Sequence, residues 1–264
     1  MNILFIGDIV GRLGRDVVNY MIERITSKRP VDFIIANGEN ATHGKGLSEA
    51  HFKELLNSGV DVVTLGNHYA AKKEIFNYID SYECILRPHN LHESIPGTGT
   101  NLFDCNGIKV RVTNLIGRSF MSNSINNPFD SLQWIINEEA QADIHIVDFH
   151  AEATGEKYSL AYAFDGQVSA VLGTHTHVQT RDYRILDKGT AFISDVGMCG
   201  PYNSILGAKK EEVITRTWTG LPSTFDVIEH DECLFSAVLL EFDDGTFECL
   251  SIEPIYEVVQ EEKL

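Results

Sequence analysis

The feature that most restricts the fold of this sequence is the alternation of short apolar runs with helical patterns over its first ninety residues. One intervening segment places Val17, Met21 and Ile25 four residues apart, which is the spacing of a helix with one apolar face. Strands that alternate with helices form βαβ units with a parallel sheet. The sequence therefore predicts strands in NILFIG, DFIIAN, DVVTLG and CILRP, and helices in RDVVNYMIERI, SEAHFKELLNS and KKEIFNYID.

The pattern changes after residue 100, where turn signals separate extended runs. Asn-Gly, Asp-Gly and Lys-Gly pairs predict hairpins in FDCNGIKVRVTNLIG, LFSAVLLEFDDGTFECLSIE and RILDKGTAFISD. We also expect a helix in SLQWIINEEAQ and buried strands in HIVDF and SAVLG. These elements predict a mixed α/β fold in which two sheets pack together with helices outside. Since no linker or repeat divides the chain, we expect a single domain over residues 1–264, with a frayed tail over 257–264.

Composition and charge limit the kind of partner. The 264 residues carry a formal net charge of -17, which argues against binding duplex nucleic acid, because that binding depends on cationic contacts to phosphate. The five cysteines are scattered and include no C-x-x-C pair, which favours a reducing compartment. The start MNILFIGD lacks the basic region of a signal peptide, and no apolar run reaches the ~18 residues of a membrane span. We therefore expect a cytoplasmic protein without a membrane partner.

Polar residues follow five of the buried runs at the point where each strand should end. In open α/β sheets, ligands bind at the carboxyl ends of the strands. Each residue has an ordinary explanation when taken alone, such as a turn at Asp8 or a packed or exposed position for His68. Their shared position at strand ends favours a common site instead. The residues are Asp8, Glu39, Asn40, Asn67, His68, His150, His175 and His177.

The chemistry of this set indicates a metal site. His175 and His177 are two residues apart, so in an extended segment both imidazoles would point to the same side. Nitrogen and oxygen donors without thiolate suit iron, manganese or zinc at a catalytic site. The donors exceed one tetrahedral shell, and Glu39 can bridge two ions ~3.5–4 Å apart. Two divalent ions beside two carboxylates leave a locally positive site, which attracts a small phosphorylated substrate.

Several other motifs are excluded by spacing. The stretch NGENATHGKG is not a Walker phosphate loop, because five residues separate Gly38 from Gly44 and Gly46 stands where Ser or Thr is required. Ile9 occupies the position of the nucleophile in a GDSL-type hydrolase, and the first loop lacks the G-x-G-x-x-G of a dehydrogenase. Cys199 has no assignable base and is interpreted as a packing residue. A dinuclear amidohydrolase stays open as an alternative.

Six stretches together resemble the calcineurin-type metallophosphoesterase superfamily, and most closely its YmdB-like bacterial branch of cyclic-nucleotide phosphodiesterases. They occur in the family's order between residue 5 and about residue 202: FIGDIVGRLGRD, NGENATHGKG, TLGNH, DFHAEATGEK, VLGTHTHVQT and SDVGMCGPY. The resemblance implies an α/β/β/α fold, that is, a metallophosphoesterase-type sandwich of two mixed β-sheets flanked by helices. It also implies self-association into a homo-oligomer.

The resemblance implies a role for each donor. Three residues would hold a first metal, three others a second, and Glu39 would lie between the two ions. His68 would not bind metal but would act as the general acid. The two ligand sets are Asp8, Asn40 and His177 for the first metal and Asn67, His150 and His175 for the second.

The sequence also departs from the superfamily pattern. Val10 stands where the first motif normally has histidine, Asn40 fills the vacancy, and Glu39 replaces the usual aspartate. These changes are typical of the YmdB-like branch. After GNH, however, the segment Tyr69-Ala70-Ala71 stands where this branch usually has Thr-Trp-Asp, which puts its substrate preference in question.

Our hypothesis is a dinuclear-metal-dependent phosphodiesterase that acts by metal-activated hydroxide, and the resemblance implies cyclic nucleotides such as 2′,3′-cyclic AMP as its substrates. The expected cofactors are two divalent ions, with iron or manganese favoured over zinc or magnesium. One alternative is a regulatory protein that senses a metal or nucleotide with little turnover. Another is a different dinuclear hydrolase, such as a phosphomonoesterase or nucleotidase. Lys45 and Arg118 are candidates for phosphate contact, although a solvated position is favoured for both.

Overall fold

The computed structural model describes residues 1–121 and 125–264, and its strands form two sheets. The strands of the first sheet are β1 (Asn2–Ile6), β2 (Asp8–Ile9), β3 (Phe33–Asn37), β4 (Val62–Thr64), β5 (Ile85–Leu86), β12 (Met198–Pro201), β13 (Cys233–Phe242) and β14 (Cys249–Val259). Their order is β2-β12-β13-β1-β3-β4-β5, with β14 paired outside β13. As predicted, β1, β3, β4 and β5 are parallel, while the long β13–β14 hairpin is antiparallel and makes the sheet mixed.

The second sheet has six strands in the order β10-β11-β9-β8-β7-β6. Its members are β6 (Thr100–Cys105), β7 (Ile108–Ile116), β8 (Ile144–His150), β9 (Ala170–Thr174), β10 (Arg184–Ile185) and β11 (Ala191–Ile193). The central strands β7, β8, β9 and β11 are parallel, and the predicted hairpins β6–β7 and β10–β11 form its antiparallel edges. This sheet is therefore mixed as well.

The described residues form five α-helices, of which the first four cover the outer faces of the two sheets. They are α1 (Gly11–Thr26), α2 (Glu49–Asn57), α3 (Pro128–Glu138), α4 (Thr154–Ala163) and α5 (Lys210–Thr219). Ser48 and Asn127 begin α2 and α3 by accepting hydrogen bonds from backbone N–H groups of the first turn. Helix α5 differs from the others because it buries no residue. Among the described residues, the helices are too short or too polar to span a lipid bilayer.

Three apolar layers hold the sandwich together. Alternate side chains of β1 face opposite ways: Ile3 and Phe5 pack between the sheets, while Leu4 and Ile6 join the layer beneath α1 and α2. A third layer lies between the second sheet and helices α3 and α4 and includes Phe149 of β8. Each fully buried side chain of this kind stabilises the fold by about 1.5–3 kcal/mol. The predicted α/β/β/α sandwich of two mixed sheets is confirmed.

The prediction of an α-helix in KKEIFNYID is wrong. Residues Lys73–Asn77 and Ile79–Ser81 form two short 3-10 helices. Only Ile75, Tyr78 and Ile79 of this segment are buried. This short apolar contact is too small to stabilise several turns of α-helix.

The frayed tail expected over residues 257–264 is wrong for its first part. Strand β14 continues to Val259, which pairs with Cys233 of β13 and is buried. Glu261, in the terminal 3-10 helix Glu261–Lys263, forms an ion pair with Arg12 at 2.9 Å. The Asp-Gly turn of the β13–β14 hairpin is where the sequence predicts it, but the second strand is longer than expected.

Candidate metal centre

The structure brings together all eight polar residues that the sequence placed at strand ends. They come from both sheets rather than from one, because the carboxyl ends of β1, β3 and β4 face those of β8 and β9. Seven of them, predicted as metal ligands, form a cluster that we call the donor edge. It comprises Asp8, Glu39, Asn40, Asn67, His150, His175 and His177.

One half of the donor edge contains Asp8, Asn40 and His177. The Nε2 atom of His177 lies 3.2 Å from Asn40 Nδ2 and 3.9 Å from Asp8 Oδ1. Its Nδ1 lies 3.1 Å from the carbonyl oxygen of Leu206. A carbonyl can only accept, so Nδ1 carries the proton and Nε2 is free to bind a metal.

The other half contains Asn67, His150 and His175. His150 Nε2 lies 2.9 Å from Asn67 Oδ1 and 3.0 Å from His175 Nδ1. The outer nitrogen of His175, Nε2, lies 3.0 Å from a carboxylate oxygen of Glu152. Because the Glu152 carboxylate can accept a hydrogen bond from a protonated Nε2 of His175, the Nδ1 atom of His175 faces the cluster with a lone pair.

Glu39 connects the two halves. Its Oε1 lies 3.1 Å from His150 Nε2 and 3.2 Å from Asn40 Nδ2, and its Oε2 accepts a 2.8 Å hydrogen bond from the backbone N–H of His68. Gly66 makes this approach possible, since a Cβ there would lie 2.4 Å from His150 Cδ2 and 2.5 Å from Glu39 Oε2.

A buried polar network behind the cluster sets the orientation of His150. Thr174 donates its hydroxyl proton to Asp148 Oδ1 at 2.7 Å, so its oxygen accepts from His150 Nδ1 at 2.9 Å. Thr64 and Asn37 donate to the other oxygen of Asp148 from the facing sheet, at 2.6 and 3.0 Å. The protonated Nδ1 leaves Nε2 of His150 directed at the donor edge, as in metal-bound histidines whose outer nitrogen is held by the protein.

The charges of the cluster shift one another's ionisation. Burial raises the pKa of Asp8 to about 6, against the opposing charges of His177 and His150. Burial also disfavours the ionised forms of Glu39 and His150, but the attraction between their opposite charges is the larger effect. It lowers the pKa of Glu39 to about 2 and raises that of His150 to about 9. The protein without metal therefore holds a proton on His150, which a metal must displace.

Two features show that the donors fit a cation. Asp8 Oδ1 is buried and finds no hydrogen-bond partner among the described residues, and an unpaired buried carboxylate oxygen is costly. In addition, the inward nitrogens of His150 and His175 lie 3.0 Å apart with their outer partners occupied, so both can direct a lone pair at a metal once the proton on His150 is lost. Glu39, His150 and His175 alone place one ligand atom each within 4.8 Å of one another. A bound cation satisfies these atoms together, and the absence of thiolate suits iron, manganese or zinc.

The segment that carries His175 and His177 is not extended, contrary to the sequence prediction. Both residues have positive φ, of 104° and 67°, which non-glycine residues adopt only at some cost in energy. Hydrogen bonds to buried carboxylates hold this conformation: His175 N donates to Asp8 at 3.0 Å and Thr176 N donates to Asp195 at 2.9 Å. Asp195 is in turn paired with Lys157 of α4 at 2.8 Å, both being buried.

A cleft of about 810 Å³ opens over the donor edge. His68, Lys45 and Lys72 line it beside the donors, while Arg118 is exposed and is not among the described residues that line it. Another part of the lining, which we call the distal wall, comes from a later part of the chain. It comprises Leu206, Gly207, Ala208, Arg216, Ser223, Thr224, Phe225 and Val227.

Sequence reasoning missed the network around Asp148, the Lys157–Asp195 pair and the distal wall. Asp148 had a visible signal, since it is an acidic residue inside the apolar run HIVDF and would be costly to bury unpaired. The distal wall had none, because α5 buries no residue and so shows no apolar pattern. Cys199 is buried, as predicted, and burial raises the pKa of its thiol, which suits a packing role.

A sandwich of two mixed sheets with oxygen and nitrogen donors at the facing strand ends defines a metallophosphoesterase-type protein. The model of the YmdB-like protein family matches residues 4–255, and the chain belongs to this family. The resemblance seen in the sequence is therefore confirmed.

Similar proteins match nearly the whole length of the chain. It is 48% identical over 256 residues to a 2′,3′-cyclic-nucleotide 2′-phosphodiesterase of Bacillus subtilis (strain 168), in a match that covers 97% of this chain and 96% of the relative. The solved structure of a novel phosphatase from Mycoplasma pneumoniae has a TM-score of 0.93 and 38% identity, over 100% of this chain and 95% of that one. A hypothetical protein from Thermus thermophilus has a TM-score of 0.92 and 39% identity, over 98% and 100% of the two chains.

Proposed function

We propose that this protein is a metal-dependent phosphodiesterase that hydrolyses 2′,3′-cyclic nucleotides. The observation that carries the proposal is the position of Glu39, whose carboxylate contacts both halves of the donor edge. The identity of 48% to a 2′,3′-cyclic-nucleotide 2′-phosphodiesterase supports the choice of substrate.

The arrangement supports two ions rather than one. Asp8, Asn40 and His177 would hold the first, and Asn67, His150 and His175 would hold the second, with Glu39 shared. We propose iron or manganese, with zinc and magnesium as alternatives, because the donors are imidazole, amide and carboxylate. Divalent ions at this position would lower the pKa of a water molecule and neutralise charge on the phosphate.

The role proposed for His68 is to protonate the leaving alkoxide. Its backbone N–H is fixed by Glu39 at 2.8 Å, and its side chain lines the cleft directly beside the donors. Burial lowers the pKa of His68, against the raising effect of Glu39, so its protonated form is a stronger acid but is less populated at neutral pH than that of a free histidine. A positioned acid of this kind contributes ~10²–10⁴ in rate.

The remaining residues of the cleft select for an anionic ester. Lys45 and Lys72 add positive charge beside the donor edge, although the chain as a whole carries a net charge of -17. A small phosphodiester is attracted to the cleft, while a long polyanion such as duplex nucleic acid is repelled by the surrounding surface. Self-association, a single domain over residues 1–264 and a cytoplasmic location stay predictions.

A substrate panel tests the function. The manganese-loaded protein is assayed with 2′,3′-cyclic AMP, a linear dinucleotide and a nucleoside monophosphate, and metal content is measured on the same sample. Two bound ions and a preference for the cyclic diester support the proposal. Metal binding without turnover would indicate a sensor instead, and preference for the monophosphate would indicate a nucleotidase.

The role of His68 is tested by His68→Ala, with His92→Ala as a matched control because His92 is exposed and outside the lining of the cleft. We expect His68→Ala to bind metal like the wild type but to lose ~10²–10⁴ in kcat for the cyclic nucleotide. Full activity of this variant toward an unactivated diester would rule out the proton-donor role.

A further inference from the structure

The cleft is larger than a cyclic phosphate requires. Its volume of about 810 Å³ is in the range of pockets that bury a whole small molecule, and the donor edge supplies only part of its lining. The distal wall, a further part of the lining, includes an aromatic ring and a guanidinium group, those of Phe225 and Arg216. These two side chains are therefore available to the part of a substrate that extends away from the phosphate.

Phe225 and Arg216 already form a cation–π pair. The Cζ atom of Arg216 lies 5.1 Å from the centroid of the Phe225 ring, which is 39% exposed. Among the described residues, no carboxylate lies within ion-pair distance of the Arg216 guanidinium. An exposed ring beside an unpaired planar cation offers two flat surfaces on which a heteroaromatic base can stack.

The pair is held in place by the chain around it. The hydroxyl of Ser223 donates to the carbonyl of Glu212 at 3.3 Å, and the N–H of Asp226 donates to the Glu212 carboxylate at 2.7 Å. These contacts attach the chain before and after Phe225 to α5, the helix that carries Arg216. The platform is therefore preorganised, which lowers the entropic cost of binding a ligand.

Val227 connects this wall to the metal side of the cleft. A Cβ at Gly44 would lie 2.3 Å from Val227 Cγ2, and one at Gly11 would lie 2.9 Å from Val227 Cγ1. Both glycines have positive φ; Gly11 begins α1, and Gly44 lies in the loop that follows β3. The chain two residues after Phe225 is thus packed directly against segments that lie beside the donor edge.

We propose that Phe225 and Arg216 form a nucleobase platform, which makes the base of the substrate a determinant of specificity. This inference rests on the proposed function, since it concerns the group attached to the hydrolysed ester. Stacking on aromatic side chains tolerates every base because each has a π-face, so the platform selects nucleotides over base-free diesters rather than one base over another. The hydroxyls of Ser223 and Thr224 lie on the same wall, next to Phe225 in sequence.

The test compares two substrates that differ only in the base: 2′,3′-cyclic AMP and the 2′,3′-cyclic phosphate of methyl riboside. Phe225→Ala in the manganese-loaded protein should lower kcat/KM for the nucleotide by about 5- to 150-fold, the range expected for one lost stacking contact. The base-free substrate should be hydrolysed as by the wild type. Phe225→Trp should retain activity, whereas Phe225→Leu, which keeps apolar volume without a π-face, should behave like Phe225→Ala.

A binding measurement gives a second readout. The Kd of adenosine 3′-phosphate, measured by equilibrium dialysis, should rise for Phe225→Ala and for Arg216→Met. It should be unchanged for Trp218→Ala, because Trp218 is an exposed aromatic residue of the same helix that does not line the cleft.

The outcomes separate this inference from the proposed function. Wild-type turnover of both cyclic phosphates establishes the phosphodiesterase activity by itself. The platform is refuted when Phe225→Ala lowers activity on both substrates equally, which indicates a structural effect, and also when it lowers neither. It is refuted as well when Phe225→Leu matches the wild type, since apolar volume alone then explains the contact.

Discussion

The donor edge and the distal wall line one cleft, but they are built in different ways. Donors such as His150 and Glu39 are buried at strand ends and held by several contacts each. The distal wall belongs to a segment whose helix, α5, buries no residue and whose Trp218 is 87% exposed. The proposed metal ligands are therefore positioned by the two sheets, whereas the proposed selectivity would depend on a segment with little burial of its own.

This difference has a physical basis. A donor can move only when the sheets that carry it move, and their cores consist of close-packed, fully buried side chains. The distal wall is held by a few polar contacts around Glu212 and by the packing of Val227. Segments with few buried contacts tolerate change at small cost in stability. Substrate preference can therefore vary within this architecture while the metal site stays the same.

Removing the shared carboxylate should give the largest effect. Glu39→Gln keeps the shape of the side chain but removes the charge that both halves of the donor edge contact. We expect metal affinity to fall by more than the roughly 10–100-fold that outer partners of metal ligands contribute, and turnover to be lost with it. Isothermal titration with manganese and metal analysis of the purified variant measure the change.

Trp218→Ala on α5 is the control, and we expect it to bind metal and turn over substrate like the wild type. Retention of two ions per chain by Glu39→Gln would contradict this contrast between the two regions. Equal metal loss in both variants would also contradict it, because α5 would then support the donor edge.

The sequence contained enough to predict the framework of the fold. Apolar runs such as NILFIG and the Asn-Gly and Asp-Gly turns record the burial and turn geometry of single elements, which are local properties. Helix α5 and the two-residue strand β2 escaped because neither has a local pattern: the first buries no residue and the second is too short. The opposite case is the segment that forms 3-10 helices at Lys73–Asn77 and Ile79–Ser81. Its sequence has a helical pattern, but tertiary packing does not stabilise an α-helix there.

The residues of the site could be predicted from the sequence, but the hydrogen bonds that hold them in position could not. Glu39 and His150 could be found because parallel strands bring their carboxyl ends together. The positive φ of His175 and the bond from Thr174 to Asp148 depend on contacts between segments far apart in the chain. Only the folded structure shows which nitrogen of His150 faces the cluster.

A smaller effect is expected from the pair that supports the His175–His177 segment. Asp195 accepts from the N–H of Thr176 and from buried Lys157, so Asp195→Asn weakens the hold on the segment and leaves a buried cation unpaired. We expect metal affinity to fall by roughly 10–100-fold and the free energy of unfolding by about 3–5 kcal/mol. Calorimetric titration with manganese and urea unfolding of the metal-free protein measure the two quantities separately.

A double variant separates the positioning role from stability. Replacing Lys157 by methionine in the Asp195→Asn background removes the unpaired charge and should restore most of the stability. Metal affinity should stay low, because the bond to Thr176 N is still weakened. Recovery of both properties together would show that the pair only stabilises the fold.

The smallest effect concerns a buried histidine outside the donor edge. His145 lies at the opposite end of β8 from His150, and its Nε2 is 2.8 Å from the hydroxyl of Thr113. Burial, with the charge of Arg111, lowers the pKa of His145 to about 3, whereas an unfolded histidine titrates near 6.5. Below pH 6.5 the unfolded chain binds this proton and the folded chain does not, so stability falls as the pH is lowered towards 3. At 1.36 kcal/mol per pH unit, His145 should cost the fold about 2 kcal/mol between pH 7 and pH 5.

His145→Gln, which can keep the bond to Thr113, should remove this part of the pH dependence and leave metal binding unchanged. Urea unfolding of the metal-free wild type and variant at pH 7, 6 and 5 gives the difference directly, because the ionisation of the donor edge is common to both proteins. Parallel pH profiles would show that His145 is protonated in the folded state. A changed metal content would show that the two ends of β8 are coupled, and the donor edge would then depend on more of the sheet than the residues at its strand ends.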